Sequence, residues 1–429
     1  MKLASVEIRN FRAIEEMTLP LHPQLTVLHG ENGLGKTSVL RAIAVGLNAA
    51  AGFLPGHNPL PRHSGADPRR GVKPPDVTVR LETTTGLAWK CVWEGGDYWQ
   101  PNEKEEMSRS LGRIYEADRS GKEPLDLPLM AFYDTERTTL ESPKKSRGLA
   151  KGEEFHRYRA FEQALAASAS FPDFFQWFYA MENQELREQK ARGDFDHQHR
   201  GLAGVRMAIC SVLDNVSNPS IRVEPPGFEV TVRDDTGNQK LDVDQLSGGC
   251  RATLAFAADL AWRMALGNPH LEDPLSSEAV VLIDEIELHL HPSWQQRILD
   301  DLTRTFPNAQ FIVTTHSPQV LTTVRPEQVV TLVREDGKIV PRGPGWGTYG
   351  AEAGGVLTAV MGVEERPRNE FTETLDQYRE LIENDRGETE EALALRKKLD
   401  AWNRQDPDLV RADAAIRRRN TLRRMGRAG

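Results

Sequence analysis

The chain is poor in cysteine. Its 429 residues hold three, Cys91, Cys210 and Cys250, far apart and without any Cys-x-x-Cys pair. That argues against a disulfide framework and a structural zinc site, and fits a reducing compartment. Long hydrophobic runs are also missing. The longest candidate, around Ala252–Ala265, is broken by Asp259 and Arg263, which excludes a membrane-spanning segment of about 18 or more apolar residues. The opening MKLASVEIRNF carries no apolar core or cleavage site of a secretion signal, so a cytoplasmic protein with no membrane partner is expected. Positive charge is not in excess: 54 Lys and Arg face 63 Asp and Glu, a formal net charge of -9. Nucleic acid could be held only by a local basic patch, not by bulk attraction. There are no internal repeats, and no heptad pattern is sustained long enough for a coiled coil.

Core-forming residues are present. Hydrophobic residues make up 39%, enough for a buried core, and the length suits two or three domains at roughly 150 residues each. Residues 3–9 alternate apolar and polar as a strand does. Leu25–His29 is a short apolar run leading into Gly30, and a proline-free helical pattern follows from Lys36 to Ala50. Residues 53–76 read as loop, residues 95–127 give no clear period, and strands are expected at 77–82, 87–93 and 129–133. Phe161, Leu165, Phe174, Phe175 and Phe178 recur at helical spacing, with a second helix over 202–213. Strands follow at 221–223 and 228–232, then helix, strand, helix, strand, strand over 246–333. The end of the chain is helical and charged: twelve acidic residues within 364–400, then seven arginines against one aspartate from Arg411 to Arg427. The expected division is 1–150 for the first part of an α/β lobe, 151–215 for an inserted helical arm, 216–345 for the rest of the lobe, and 346–429 for a helical tail with a basic end.

Four segments carry chemistry. Gly30-Glu31-Asn32-Gly33-Leu34-Gly35-Lys36-Thr37 fits G-x-x-x-x-G-K-[ST], set between a strand and a helix. Its glycines let backbone N–H groups surround phosphate, and the helix that follows offers its positive end to the same anion. Lys36 can reach the β- and γ-phosphates and Thr37 can ligate Mg²⁺. Ala279–Ile283 is a continuous apolar run of the kind found in buried parallel strands, and it ends in Asp284-Glu285. Ligands sit at the carboxyl ends of such strands. Asp284 is therefore placed to hold Mg²⁺, and Glu285 to orient or deprotonate the attacking water. Ser247-Gly248-Gly249 opens an apolar helix. Serine there makes an ordinary N-cap, but the exposed N–H groups also form a second anion site with no phosphate of its own. A head-to-tail dimer would resolve this, Ser247 of each copy facing the triphosphate of the other. Phe311–Ser317 is again an apolar strand with a polar end, where His316 can touch the γ-phosphate or the water.

Taken together, GENGLGKT, LSGGCR, VVLIDE and TTHS resemble the ABC-type ATPase heads, and more narrowly the RecF, SMC and OLD-like branch. Ile8-Arg9-Asn10-Phe11-Arg12 and Glu287-Leu288-His289-Leu290-His291-Pro292 are typical of that branch. The layout is similar to the stand-alone PtuA-like ATPases of Septu-type and retron-associated antiphage systems. The features behind this likeness are Phe174–Phe178, Thr348-Tyr349-Gly350, Val360–Val363 and the acidic tail ending in arginines. The resemblance implies an α/β ABC-type head with a mixed sheet, an inserted helical lobe and a C-terminal helical tail. It implies slow ATP hydrolysis and a homodimer or higher oligomer. ATP would be bound through Gly30, Asn32, Gly33, Gly35, Lys36, Thr37, Ser38 and Arg12, and through Ser247, Gly248 and Gly249. Thr37 and Asp284 would hold Mg²⁺, with Glu285 and His316 catalytic. It further implies bacterial antiphage defence with a separate effector, an HNH nuclease by analogy, since the chain has no recognisable nuclease motif. A RecF-like repair ATPase and a low-turnover ATP-bound scaffold remain as alternatives. The glutamine that usually senses Mg²⁺ in the family is replaced here by Ala131–Arg137, with Asp134 or Thr135 nearest in place, and Glu287 is the nearest candidate for the aspartate of the loop after the Asp-Glu pair.

Other charged groups read more plainly. Asp194–His199 and Asp385–Glu388 fit solvated turns, and His289 and His291 fit dimer contacts. Arg417, Arg418, Arg419, Arg423 and Arg424 could meet DNA or an acidic partner. Lys144, Lys145 and Arg147 form a weaker basic patch.

Overall fold

The computed structural model describes residues 1–54, 67–95, 98–135, 155–166, 171–235, 237–345 and 347–426. Lys144, Lys145, Arg147, Glu136 and Arg137 lie outside the described residues, as do the side chains of Arg423 and Arg424. The chain divides into two compact units, Met1–Met361 and Gly362–Gly429.

Among the described residues of the first unit, the central sheet has six strands in the order 338–342, 329–335, 25–29, 309–314, 279–283 and 129–133. The five from 329–335 to 129–133 run parallel, and only 338–342 is antiparallel. Leu25–His29, Leu129–Tyr133, Ala279–Ile283 and Ala309–Thr314 are buried at every position. That is why they appear in the sequence as unbroken apolar runs: a parallel strand covered on both faces has no solvated side to alternate with. All four end at the same edge of the sheet, and the segments with Gly30–Thr37, Asp284-Glu285 and His316 leave from that edge.

A second sheet, antiparallel, orders strands 14–20, 3–11, 78–83, 88–95 and 98–102. A three-stranded antiparallel sheet joins 237–242, 227–234 and 216–222. The helix Lys36–Ala51 packs beneath the antiparallel layer so closely that Gly46 has no room for a side chain. A Cβ there would come within 2.4 Å of Leu81. The stretch 95–127, without a clear period in the sequence, forms the strand Tyr98–Asn102 and the amphipathic helix Glu105–Arg119, which buries Met107, Leu111 and Ile114.

The helical arm comprises Phe171–Arg192 and Arg200–Val212. Phe171, Phe174 and Phe178 close around Phe228 of the small sheet, with ring centroids 5.2–6.0 Å apart. Aromatic rings in such tilted and edge-on arrangements add to the burial term. Ser247 caps the helix Gly248–Gly267, which is buried along most of its length. Within it Arg263 is buried, yet charged: it donates to both carboxylate oxygens of Asp259 and to the carbonyls of Ala160 and Glu162. The Tyr133 hydroxyl donates to Asp259 as well, at 2.8 Å. Each buried charge is thus paired and hydrogen-bonded, the condition under which burial is tolerated.

The sequence places the start of the tail at 346. In the structure, residues 347–361 still pack within the first unit: Thr348 is fully buried and donates to Val324 O, and Val356 lies in the core. The second unit holds helices Glu370–Glu383, Glu390–Asn403 and Pro407–Gly426 around Leu375, Tyr378, Ala392, Leu399 and Leu409. Asp406 and Asp408 clamp Arg366 at 2.8 and 2.6 Å.

Candidate functional site

The site is built at the carboxyl ends of strands 25–29, 279–283 and 309–314. The chain leaves the first of these through Gly30, Gly33 and Gly35, all at positive φ (147°, 81° and 81°). Gly30 admits nothing larger, because a Cβ would meet the Leu332 carbonyl at 2.5 Å. Beyond Gly33 there is open space. Glu31, Asn32 and Gly33 are exposed, whereas Lys36 and Ser38 are buried on the helix that follows. The Lys36 ammonium bends back over the loop and donates to Gly30 O at 2.8 Å and Glu31 O at 3.0 Å. Burial lowers its pKa from the usual lysine range, while the carboxylates of Asp284, Glu285 and Glu287 pull it back up. A cation so placed lies across the hollow of a backbone loop at a helix start. That arrangement fits a phosphate, which would offer the ammonium stronger acceptors than two carbonyls.

Thr37 starts the same helix and donates through its hydroxyl to Asp284 Oδ2 at 2.8 Å. The other carboxylate oxygen, Oδ1, accepts from Thr314 at 2.5 Å, and Thr314 Oγ1 in turn accepts the Glu285 N–H at 2.7 Å. Two strand ends and a helix start are thereby knotted together, and Glu285 takes φ 46°, a left-handed conformation unusual for a non-glycine residue. Such backbone strain persists only where neighbours over-determine it, and it concentrates at functional sites. A hydroxyl and a carboxylate oxygen side by side suit a hard cation such as Mg²⁺, which favours oxygen ligands and keeps most of its waters. Thr37 and Asp284 would hold it, and it would supply positive charge to the phosphate oxygens. Among the described residues no group of three or more His, Cys, Asp or Glu is placed to hold a metal ion.

His29, at the end of the first strand, is 2% exposed. Burial and the nearby Lys36 and His316 push its pKa down to about 4, against a smaller opposing pull from the Val360 backbone. The His29 ring is therefore neutral at pH 7. His316 follows Thr314-Thr315, and its backbone N–H is taken by Glu287. Asp134, beside the end of the neighbouring strand, is held by Arg41 at 2.6 Å, one helical turn beyond Thr37. Its other oxygen accepts from the N–H and hydroxyl of Thr135.

The other residues singled out in the sequence make contacts of their own. Arg12, at φ 51°, donates Nε and Nη2 to Asp67 at 2.8 and 2.6 Å. Ser247 and Gly248 are exposed. Ser247 Oγ accepts from Cys250 N at 3.3 Å, nothing lies within 4 Å of a Cβ built on Gly248, and one on Gly249 would strike His289 O at 2.4 Å. His291 caps the short helix Pro292–Gln295 through Ser293 N. In the Asp194–His199 turn, His197 pairs with Glu188 at 2.8 Å. Arg419 donates to Ile382 O within the second unit, and Arg417 and Arg418 are exposed. The sequence reading missed the roles of Thr314, Arg41 and Asp67. Only the run of two threonines before His316 hinted at one of them.

Comparison with known proteins gives matching families and relatives. A family model described as AAA domain, putative AbiEii toxin, Type IV TA system matches residues 101–322, and one described as AAA ATPase domain matches residues 1–60. The retron Ec83 probable ATPase of Escherichia coli is 28% identical, over 98% of this chain and 87% of that protein. The Septu protein PtuA of Bacillus thuringiensis is 23% identical, over 90% of each. The OLD nuclease of Thermus scotoductus is 24% identical, over 78% of this chain and 62% of that one. Among solved structures, the SMC head bound to the C-terminal winged-helix domain of ScpA aligns at a TM-score of 0.41 with 15% identity, covering 80% of this chain and 97% of that one.

Proposed function

Because the chain belongs to the AAA-domain ATPase family whose model spans residues 101–322, we propose that it binds ATP with Mg²⁺ at the Gly30–Thr37 loop and hydrolyses it slowly. The observation that carries this reading is the meeting of Lys36, Thr37, Asp284 and Glu285, which come from segments some 250 residues apart, at one sheet edge. Phosphoryl transfer to water needs positioning and charge neutralisation more than covalent chemistry. The loop N–H groups and Lys36 hold the phosphates. Glu285 accepts or orients the proton of the attacking water, and His316 contacts the γ-phosphate from the adjoining strand end. Thr37 and Asp284 would hold Mg²⁺, which would supply the balancing charge.

Ser247 and Gly248 form an exposed helix start that makes no hydrogen bond to the phosphate loop of its own chain among those described. In this reading they complete the site of a second copy, so that ATP closes a head-to-tail dimer. The retron and Septu relatives support a role in antiphage defence, in which the ATP-bound dimer controls a separate effector such as an HNH nuclease. Arg417, Arg418, Arg419, Arg423 and Arg424 are candidates for contact with DNA or an acidic partner, and Arg417 and Arg418 are the two whose side chains the structure shows exposed.

Glu285→Gln tests the mechanism. The amide cannot take the proton, so turnover should fall by about 10²–10⁴ while ATP affinity stays. Light scattering with Mg-ATP should then show a dimer. A variant that remains monomeric at saturating ATP would refute closure, and one that hydrolyses as the wild type does would refute the role of Glu285.

A further inference from the structure

Glu287 lies in the loop after the Asp284-Glu285 pair, half-buried, and both of its carboxylate oxygens are used. Oε2 accepts from the Thr315 hydroxyl at 2.8 Å, and Oε1 accepts from the His316 backbone N–H at 2.5 Å. One side chain thus grips two consecutive residues of the other loop. The grip is braced on both sides. Ile286 N donates to Thr314 O at 3.0 Å, and Thr315 Oγ1 accepts from Ser317 N at 3.0 Å. Across the loop, Leu290 N returns to Glu287 O at 2.9 Å, and His289, at φ 66°, presses its carbonyl against Gly249 of the signature turn. Charge-assisted bonds from a carboxylate to backbone and hydroxyl donors are short, directional and about twice as strong as neutral ones. Without this carboxylate, the peptide that carries His316 would lose the bond that ties it to the Asp-Glu loop.

We propose that Glu287 is a positioning residue that sets the approach of His316 to the reacting phosphate. Its two carboxylate oxygens are taken by Thr315 and His316. It fixes the backbone from which the imidazole projects, and it ties that backbone to the loop packed against Gly249. This inference rests on the proposed ATPase reading, because the value of a fixed His316 lies in the hydrolysis it serves. A displacement of about 1 Å in such a group costs on the order of 10²-fold in rate.

The experiment measures ATP turnover, nucleotide affinity and thermal unfolding for the wild type, Glu287→Ala, Glu287→Gln, His316→Ala and the Glu287→Ala/His316→Ala pair, with Lys36→Ala as control. Glu287→Ala should lower kcat about 10- to 100-fold and leave ATP affinity within about twofold. Glu287→Gln should recover most of that loss: its amide oxygen can take the His316 N–H, and its NH₂ can donate to Thr315 Oγ1. The paired variant should be no slower than His316→Ala, since both changes remove the same interaction. If Glu287→Ala does not fold, Thr315→Val, which removes one of the two bonds, should give a smaller loss of kcat at unchanged affinity. The proposal is overturned by wild-type kcat in Glu287→Ala, by additive losses in the pair, by a loss confined to ATP affinity, or by Glu287→Gln as slow as Glu287→Ala. The last result would mean that the charge itself acts on the reaction. Turnover that is absent, or that survives Lys36→Ala, would remove the ATPase reading and this inference with it. Lys36-dependent turnover untouched by Glu287→Ala removes the inference alone.

Discussion

The Thr37 hydroxyl and the Asp284 carboxylate, 247 residues apart in the chain, lie 2.8 Å from each other at the ends of two separate elements. One begins the helix after the glycine loop and the other ends a buried strand. The contact puts two oxygen ligands at the mouth of the loop that Lys36 spans, and it sets what each nearby substitution should do.

Lys36→Ala removes the ammonium that bridges Gly30 O and Glu31 O. A charge-assisted contact with phosphate is worth about 1.5–3 kcal/mol, so ATP affinity should fall about 10- to 100-fold. Titration with a fluorescent ATP analogue measures this directly. Unchanged affinity would remove Lys36 from the nucleotide site.

Gly248 and Gly249 are adjacent but should answer differently. A methyl on Gly249 meets the His289 carbonyl, so Gly249→Ala should destabilise the chain by about 1–3 kcal/mol, seen as a lower unfolding midpoint. Gly248 faces open space, so Gly248→Trp should leave the midpoint of the isolated chain unchanged. In a Glu285→Gln background with Mg-ATP it should nonetheless prevent dimer formation by light scattering. A dimer of normal stability despite the tryptophan would mean that the copies meet through another face.

His29 makes stability depend on pH. Its folded pKa of about 4 lies below the ordinary 6.5. Between these values the unfolded chain binds the extra proton, so stability is full above about pH 7 and falls as pH drops. From pH 7 to pH 5 the loss from this residue alone should be about 2 kcal/mol. Denaturant unfolding at the two pH values, compared with His29→Leu, isolates the term. An equal pH dependence in the two proteins would contradict it.

Arg263→Met should cost about 3–5 kcal/mol, because it strands the Asp259 carboxylate inside the core. Replacing both, as Asp259→Leu with Arg263→Met, should cost less than the single change. A larger cost for the pair in urea unfolding would show that the ion pair contributes more than mutual neutralisation.

Much of this was legible in the sequence. Four apolar runs, each ending in polar or glycine residues, marked strands, and Ala279–Ile283 read as a buried parallel one, because a strand covered on both faces cannot alternate. Strands 14–20, 237–242 and 338–342 escaped notice. They are antiparallel, partly exposed, and each carries residues of low strand preference: Glu and Pro in the first, Gly, Asn and Asp in the second, Lys and Pro in the third. The aromatic spacing of the arm indicated a helix but not its partner, Phe228, which belongs to a different sheet.

The local chemistry of the chain set the glycine loop, the helix behind it, the capped turn at Ser247 and the carboxylates after Ile283, because backbone freedom, capping and burial act over a few residues. Thr37 against Asp284, Thr314 beneath Glu285, Arg41 on Asp134, Arg12 on Asp67 and Glu287 across to His316 are another matter. They arise where strand order and register bring distant residues to one edge, and no local period encodes which strand will lie beside which.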